Sequence, residues 1–395
     1  MQRHRRAIVA VLAAISLAAT ACGERPTITG GLGNPSPSPS TFVGMSKFFS
    51  EADFERQMSQ RLFAAQGDPA TPWLQMIEPS LVDTTKYAKP GGKWHICLSN
   101  AVLNNNWRIT GMATIKAEAK LHPEIGQFTI VDAGGKDDKQ IADLADLQAK
   151  KCDAIVISPN TTVALTPAVE KACQSGIPVV VFDRGVATDC PVTFVHPIGG
   201  YAYGAASAEF IALKAGKGGK VLVLRQLPGV DIFETRWDAA KITLEQAGMN
   251  IIGVEFHLAN VETAKTIVRD YMQRYDIDGI WLDTGLASAA VVQEFKAAGK
   301  RVPPLVGSDQ QDFLNLWQKE KLTAVGPTYP VYQWRTALIA ATMILSGKQV
   351  PKEWVLPQPV ITDDTLSRYL TPGVPPTFFS TCGCQKMPGF PKDWL

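Results

Sequence analysis

The stretch Ala172-Cys-Gln-Ser-Gly-Ile-Pro-Val-Val-Val-Phe-Asp-Arg184 runs from the end of a helix, through a buried strand, to two charged side chains. Leu165 and Val169, just upstream, fall on one helical face with Ala172 and Cys173. Gly176 stands where a left-handed residue closes such a helix. Pro178–Phe182 is an unbroken apolar run, the pattern of a strand covered on both faces. Asp183 and Arg184 follow at its carboxyl end.

The same unit recurs in both directions. Apolar runs lie at His95–Leu98, Phe128–Val131, Ala154–Ser158, Lys220–Leu224, Ile251–Phe256, Gly279–Leu282, Leu305–Gly307 and Leu322–Val325. Helix-period stretches separate them. Ser288, Val291, Val292 and Phe295 share a face of one, and Gly299 follows it. This alternation indicates parallel sheets with helices on both faces. The runs outnumber the strands of one ordinary sheet, about five or six, so the expected fold is α/β with two doubly wound, Rossmann-like lobes. In such sheets ligands bind beyond the carboxyl ends of the strands. The polar residues there are Ser99 and Asn100, Ser158 to Thr162, Asp183 and Arg184, Asp283 and Thr284, and Ser308 and Asp309.

Carboxylates after buried strands are costly unless solvated or partnered. Capping of the following helix is one reading of Asp183, Asp283 and Asp309. Their recurrence at corresponding strand ends favours convergence on one cleft. Aspartate and arginine suit a neutral polyol, because the one accepts from hydroxyls and the other donates to several at once in charge-assisted bonds. Asn104-Asn-Asn-Trp-Arg108, just after the first run, offers an indole face for the C–H side of a sugar ring, with donors beside it. The other reading packs Trp107 in the core and leaves Arg108 solvated.

The ends of the chain read differently. Arg3, Arg5 and Arg6 precede the uncharged stretch Ala7–Ala21, the layout of a signal peptide over residues 1–21, with a hydrophobic stretch short for a stable membrane span. Ala19-Thr-Ala-Cys22 resembles a lipobox in which Cys22 is lipidated, although Ala19 stands where leucine is usual. Residues 22–45, with Asn34-Pro-Ser-Pro-Ser-Pro-Ser40, read as a flexible tether. Residues 46–92 form a polar extension with a helical pattern around Phe54, Met58 and Leu62, and no role is read from it. Residues 371–395 form a tail carrying Cys382-Gly-Cys384.

Export permits disulfides. Cys22 aside, Cys97, Cys152, Cys173, Cys190, Cys382 and Cys384 allow about 15 full pairings. Cys97 lies in an apolar run and reads as a buried thiol. The Cys382/Cys384 pair is placed to staple the tail to the body, for example through Cys190. The five histidines show no metal-ligand spacing, and neither a metal nor a cofactor is expected. No Gly-x-Ser-x-Gly nucleophile elbow is present. Gly216-Lys-Gly-Gly-Lys220 lacks the spacer of a phosphate loop and precedes a strand, so it reads as a helix stop and a turn. With Lys plus Arg at 39 and Asp plus Glu at 37 in 395 residues, no whole-chain attraction to nucleic acid or anionic membrane is expected.

From about Trp94 to Tyr369 the chain resembles the type I periplasmic binding proteins of sugar ABC transporters, the ribose- and galactofuranose-binding group. The matching stretches are His95-Ile-Cys-Leu-Ser-Asn100 with the Asn-Trp-Arg108 element, Cys152-Asp-Ala-Ile-Val-Ile-Ser-Pro159, Ala172–Arg184, the Arg236 region, Asp278-Gly-Ile-Trp-Leu-Asp283, Val306-Gly-Ser-Asp309 and Pro359-Val-Ile-Thr362. The resemblance implies two lobes joined by three crossovers, with the ligand between them. It implies a first lobe of residues 93–184 and 329–352 and a second of residues 185–328 and 353–370. By position, the implied ligand-binding residues are Asn100, Asn106, Trp107, Arg108, Thr161, Thr162, Asp183, Arg184, Arg236, Asn260, Asp283, Asp309 and Thr328. Gly199 and Gly200 replace a common Asp-Asn pair, and Asn106-Trp107 stands where ribose binders have consecutive phenylalanines. The Trp-Arg element leans toward galactofuranose-like or polyol ligands over ribose.

The resulting expectation is a monomeric, exported, lipid-anchored solute-binding protein, not an enzyme. It captures a monosaccharide or sugar alcohol by hinge closure, outside the cytoplasmic membrane or in the periplasm, and hands it to an ABC permease. Two other readings use the same residues. One is a ligand-sensing lipoprotein that signals to a membrane receptor. The other is an exported glycan-acting enzyme with Asp183, Asp283 and Asp309 as acid and base.

Overall fold

The computed structural model describes residues 44–392; the leader, Cys22 and nearly all of the tether lie outside them. After a short strand β1 (Leu81–Val82), the first lobe takes β2 (Trp94–Asn100), β3 (Ile125–Asp132), β4 (Ala154–Ser158), β5 (Val179–Phe182) and β6 (Thr193–Pro197). The second takes β7 (Lys220–Arg225), β8 (Asn250–Phe256), β9 (Gly279–Leu282), β10 (Leu305–Val306) and β11 (Ala324–Pro327). Then β12 (Val350–Pro351) pairs antiparallel with β1, while β13 (Glu353–Leu356) and β14 (Val360–Ile361) complete the two sheets. The helices are α1 (Glu51–Gln60), α2 (Asn106–Lys120), α3 (Asp137–Ala149), α4 (Thr162–Gln174) and α5 (Gly200–Ala215). They continue with α6 (Asp231–Gln246), α7 (Val261–Arg274), α8 (Ser288–Ala297), α9 (Gln311–Glu320) and α10 (Gln333–Leu345).

The two six-stranded sheets have the orders β3-β2-β4-β5-β6-β13 and β8-β7-β9-β10-β11-β14. Within them every pairing is parallel except that of β14 with β11. All nine apolar runs of the sequence are strands of these sheets. In each sheet the winding reverses beside the first strand of its lobe, which places a ligand crevice at the ends of β2 and β7. Burial of the central strands explains their composition: β4, β5 and β9 are buried throughout. Phe182, Trp334 and Trp354 fill the first core, and Trp281, Phe313 and Trp317 the second.

The lobe boundaries differ from the expected ones. β6 pairs with β5 and β13 pairs with β6, so the first lobe extends to Pro197 and reclaims residues 353–356. β6 is buried along most of its length and needs a hydrogen-bonded neighbour on each side. The chain therefore passes between lobes near residues 198–199, 328–330 and 357–359. Gln358 and Thr328 tie these passages together. Gly199 N donates to Gln358 Oε1 (2.8 Å), Gln358 Nε2 donates to Thr328 O (2.9 Å), and Thr328 Oγ1 donates to Pro359 O (2.7 Å).

The cysteine pairing also differs. Cys97 is not a free thiol: it bonds Cys152, which stands just before β4, the neighbour of β2. Cys190 bonds Cys173, and Cys382 bonds Cys384. The tail is thus held to the body without a disulfide, by hydrogen bonds and by packing, with Phe378, Cys382, Cys384 and Met387 buried in the first core.

The N-terminal extension spans both lobes. Ser46 bonds Asp238 through its N–H (2.9 Å) and hydroxyl (2.6 Å), and Arg61 forks onto Glu209, both partners lying in the second lobe. Further on, Ile77 N donates to Val355 O (2.9 Å) and Thr84 Oγ1 to Lys348 O (2.7 Å), in the first. Extension and tail meet at Arg335 of α10. Its guanidinium pairs with Glu118 (2.7 Å), donates to Gly383 O and lies 3.8 Å from the Trp73 ring centroid. Gly383 has φ +64°, and a Cβ there would stand 2.3 Å from Trp73. Gly383→Ala is therefore expected to destabilise by about 1–3 kcal/mol through strain and overpacking. A denaturant midpoint equal to wild type contradicts this.

Candidate functional site

The carboxyl ends of both sheets open onto one cleft of about 200 Å³. From the first lobe it takes Asn106, Trp107 and Arg108 at the start of α2, and Asp183 and Arg184 after β5. The second lobe supplies Gln226 after β7, Phe233 and Arg236 on α6, Thr284 to Leu286 after β9, and Ser308 to Gln310 after β10. Tyr203 of α5, Tyr329 of the second crossover and Phe379 of the tail also line the cleft.

Arg108 is buried, and its place is set from behind. Asn105 caps α2 by accepting from Arg108 N (3.0 Å). Arg108 Nη1 donates to Asn100 Oδ1 and Ser158 Oγ, both at 3.2 Å, and Nη2 donates to Asp183 Oδ2 at 2.6 Å. Asp183 has φ +68°, a conformation that costs a non-glycine residue about 1 kcal/mol or more. In that pose its carboxylate also accepts from Ser158 Oγ (2.9 Å) and Tyr329 OH (3.3 Å). Asp183 thus holds Arg108 and the second crossover together. Trp107 is fixed by its Nε1–H bond to Tyr329 O (2.8 Å) and an edge contact with Trp334, ring centroids 5.7 Å apart.

Arg236 is the counterpart in the second lobe. Nη1 donates to Asp283 O (2.8 Å), and the guanidinium lies 4.1 Å from the Tyr203 ring centroid and 5.3 Å from that of Tyr329. Its buried Nε has no hydrogen-bond partner. Gly204 makes the approach possible, since a Cβ there would stand 2.0 Å from Arg236 O. An arginine with an unused donor and an aromatic face on either side suits a ring bearing hydroxyls.

The expected residues separate into groups. Asn106, Trp107, Arg108, Asp183, Arg184, Arg236 and Asp309 line the cleft. Asn100 and Asp283 stand behind it: Asn100 bonds Arg108 and Asp132, and both oxygens of Asp283 accept from Gln226 N (2.9 and 3.0 Å). Thr161, Thr162, Asn260 and Thr328 lie elsewhere. The Thr161 hydroxyl donates to Asp137 (2.8 Å) and that of Thr162 to Gly185 O (3.0 Å), both at the start of α4. Asn260 caps α7, accepting from Glu262 N and Thr263 N (2.9 and 3.1 Å), and Thr328 belongs to the hinge. Of the residues not anticipated, Gln226 was findable, because it directly follows a strand. Tyr203 in a helix interior and Phe379 in the tail carry no local signal.

Burial pushes the Asp283 carboxyl up from 3.8 to about 7. Between those values the folded protein holds a proton that the unfolded chain has released. Stability therefore falls as pH rises through this window, by up to about 1.4 kcal/mol per pH unit. Asp283→Asn removes this contribution. Relative to wild type, its unfolding free energy is expected to rise from about pH 4 to about 7 and level off above. A difference that stays constant across that range in denaturant melts contradicts this.

The carboxylates are not arranged as an acid–base pair. Asp183 is taken by Arg108, Asp283 lies behind the cleft, and Asp309 Oδ2 accepts from Thr381 N (2.9 Å) and Thr381 Oγ1 (2.5 Å). One group of possible metal ligands occurs among the described residues, His95 with Cys97 and Cys152, and both sulfurs are in a disulfide. No helix among the described residues is long and apolar enough to cross a membrane.

Residues 96–349 match the periplasmic binding protein domain, and with its two parallel-sheet lobes the chain belongs to that family, type I, in the sugar ABC transporter solute-binding group. Its members are binding proteins, not enzymes. The ribose import binding protein of Bacillus subtilis is 28% identical over 287 residues, which is 71% of this chain and 92% of that protein. An ABC transporter solute-binding protein of Thermobispora bispora superposes with a TM-score of 0.63 at 24% identity, covering 75% of this chain and 95% of that one. A solute-binding protein of Bacillus halodurans with bound myo-inositol gives 0.63 at 19% identity, covering 71% and 99%.

Proposed function

We propose that this chain captures one monosaccharide or sugar alcohol between its lobes and delivers it to an ABC permease, held at the membrane through a lipidated Cys22. The observation that carries the reading is the convergence of Arg108 and Arg236, from opposite lobes, on a cleft that also presents Trp107. The cleft is smaller than the range of about 300–1,000 Å³ that suits drug-sized ligands, and it fits a single ring. The aromatic side chains cover the C–H faces of that ring, while Arg108, Arg184, Arg236, Asn106 and Asp309 meet its hydroxyls. A ligand bridging both lobes favours the closed arrangement, as in other hinge-bending binding proteins. Ribose and myo-inositol, named for two of the similar proteins, are the first candidates. Micromolar binding needs about 8 kcal/mol, within reach of one buried ring and several charge-assisted hydrogen bonds.

A ligand that binds only the folded state raises its melting temperature. In a thermal-shift screen of pentoses, hexoses and sugar alcohols, at least one compound is expected to raise the melting temperature by several degrees at millimolar concentration. A broad panel that leaves melting unmoved removes the sugar reading.

A further inference from the structure

Three crossovers join the lobes, the N-terminal extension spans them, and the tail makes a further passage. β14 belongs to the second sheet, whereas Cys382, Cys384 and Met387 are buried in the first core. Between them the chain runs along the cleft. On the second lobe, Asp312 N donates to Pro376 O (2.8 Å), Gln311 N to Phe378 O (2.9 Å) and Ser380 N to Asp309 O (2.9 Å). At the second crossover, Tyr332 N donates to Thr381 O (2.8 Å) and Val331 N to Thr381 Oγ1 (3.1 Å). The Thr381 hydroxyl therefore accepts from the hinge while it donates to Asp309. Phe379, half-buried between buried Phe378 and Ser380, lines the cleft.

We propose that this C-terminal strap is part of the ligand site, with Phe379 limiting the size of the ring admitted and Thr381 positioning Asp309. This rests on the reading of the ligand as a monosaccharide or sugar alcohol. Two donors from Thr381 fill the lone pairs of Asp309 Oδ2, so the ligand meets a carboxylate of fixed orientation that offers it Oδ1. Phe379 adds an apolar wall from outside the two βα lobes, so ligand choice here depends on a segment that lies beyond the region matched to the family, residues 96–349.

The test is titration calorimetry on the full chain with D-ribose, myo-inositol and maltose, the last as an oversized probe. For Phe379→Ala we expect about fivefold weaker binding of whichever monocyclic probe the wild type binds best, and a narrower preference for that probe over maltose. Thr381→Val is expected to weaken binding about tenfold, and Thr381→Ser, which keeps the hydroxyl, to bind like wild type. A folded Phe379→Ala protein that binds all probes within twofold of wild type, in the same rank order, overturns the role of Phe379. Equal affinity in Thr381→Val and wild type overturns that of Thr381. If Thr381→Val does not fold, a tenfold loss in Thr381→Ser overturns the positioning role, because the hydroxyl is retained. Wild-type protein that binds none of the probes counts against the sugar reading itself, and the strap's role falls with it.

Discussion

Arg236→Ala is expected to weaken sugar binding by at least about a hundredfold while the protein stays folded. Arg236 supplies the second lobe's charged donor, and hydrogen bonds to a charged group contribute about 1.5–3 kcal/mol each. Loss of two such bonds corresponds to well over a hundredfold in affinity. The effect on folding is smaller. Arg236 holds no carboxylate: Asp283 offers it a backbone carbonyl, while both oxygens of the Asp283 side chain are occupied by Gln226 N. The substitution leaves Tyr203 and Tyr329 without the guanidinium between them, a loss of about 0.5–2 kcal/mol per face. Titration calorimetry together with a melting curve separates the two effects. Affinity within threefold of wild type contradicts the assignment of Arg236 to the ligand.

Arg108→Ala is expected to damage both fold and binding. Arg108 and Asp183 form a buried pair at 2.6 Å, with side chains 4% and 7% exposed. Removing one partner of such a pair leaves an uncompensated charge and costs about 3–5 kcal/mol. Asp183 then keeps Ser158 and Tyr329, which are neutral donors. The predicted result is a melting temperature lower by about 5–15 °C and no measurable sugar binding. The double variant Arg108→Leu with Asp183→Asn is expected to recover much of the stability, because no buried charge remains, and none of the binding. A single variant as stable as wild type shows that the pair does not hold the first lobe's side of the cleft.

Much of the fold was legible because parallel strands buried on both faces write themselves as apolar runs. β6 and β13 escaped notice. Thr193-Phe-Val-His-Pro197 is short, polar at His196 and closed by a proline, and Glu353–Leu356 is a brief run just before Pro357. β6 pairs with β5 just upstream of it, but β6 and β13 also pair with each other, as segments far apart in sequence that no local pattern joins. Missing them moved the boundary between lobes.

In the site, the rule that ligands bind beyond strand ends found Asp183, Arg184, Thr284, Ser308 and Asp309, while Trp107 and Arg108 came from the Asn104–Arg108 element after the first run. It could not tell a side chain facing the ligand from one standing behind it. Asp283 follows its strand as Asp183 does, yet it turns inward to hold Gln226 N. Asn260 and Thr161 also stand near strand ends, but one caps a helix and the other bonds a neighbouring helix start. Tyr203 and Phe379 reach the cleft from a helix interior and a C-terminal strap, so their place is a product of tertiary packing alone.

Capture of the proposed kind requires one ligand to be gripped from both lobes. A crystal structure grown with the sugar that gives the largest melting shift tests this most directly. We expect a single ring in the cleft beside Trp107, with its hydroxyls within about 3 Å of both Arg108 and Arg236. A ring held by one lobe only, or bound outside the cleft, contradicts it.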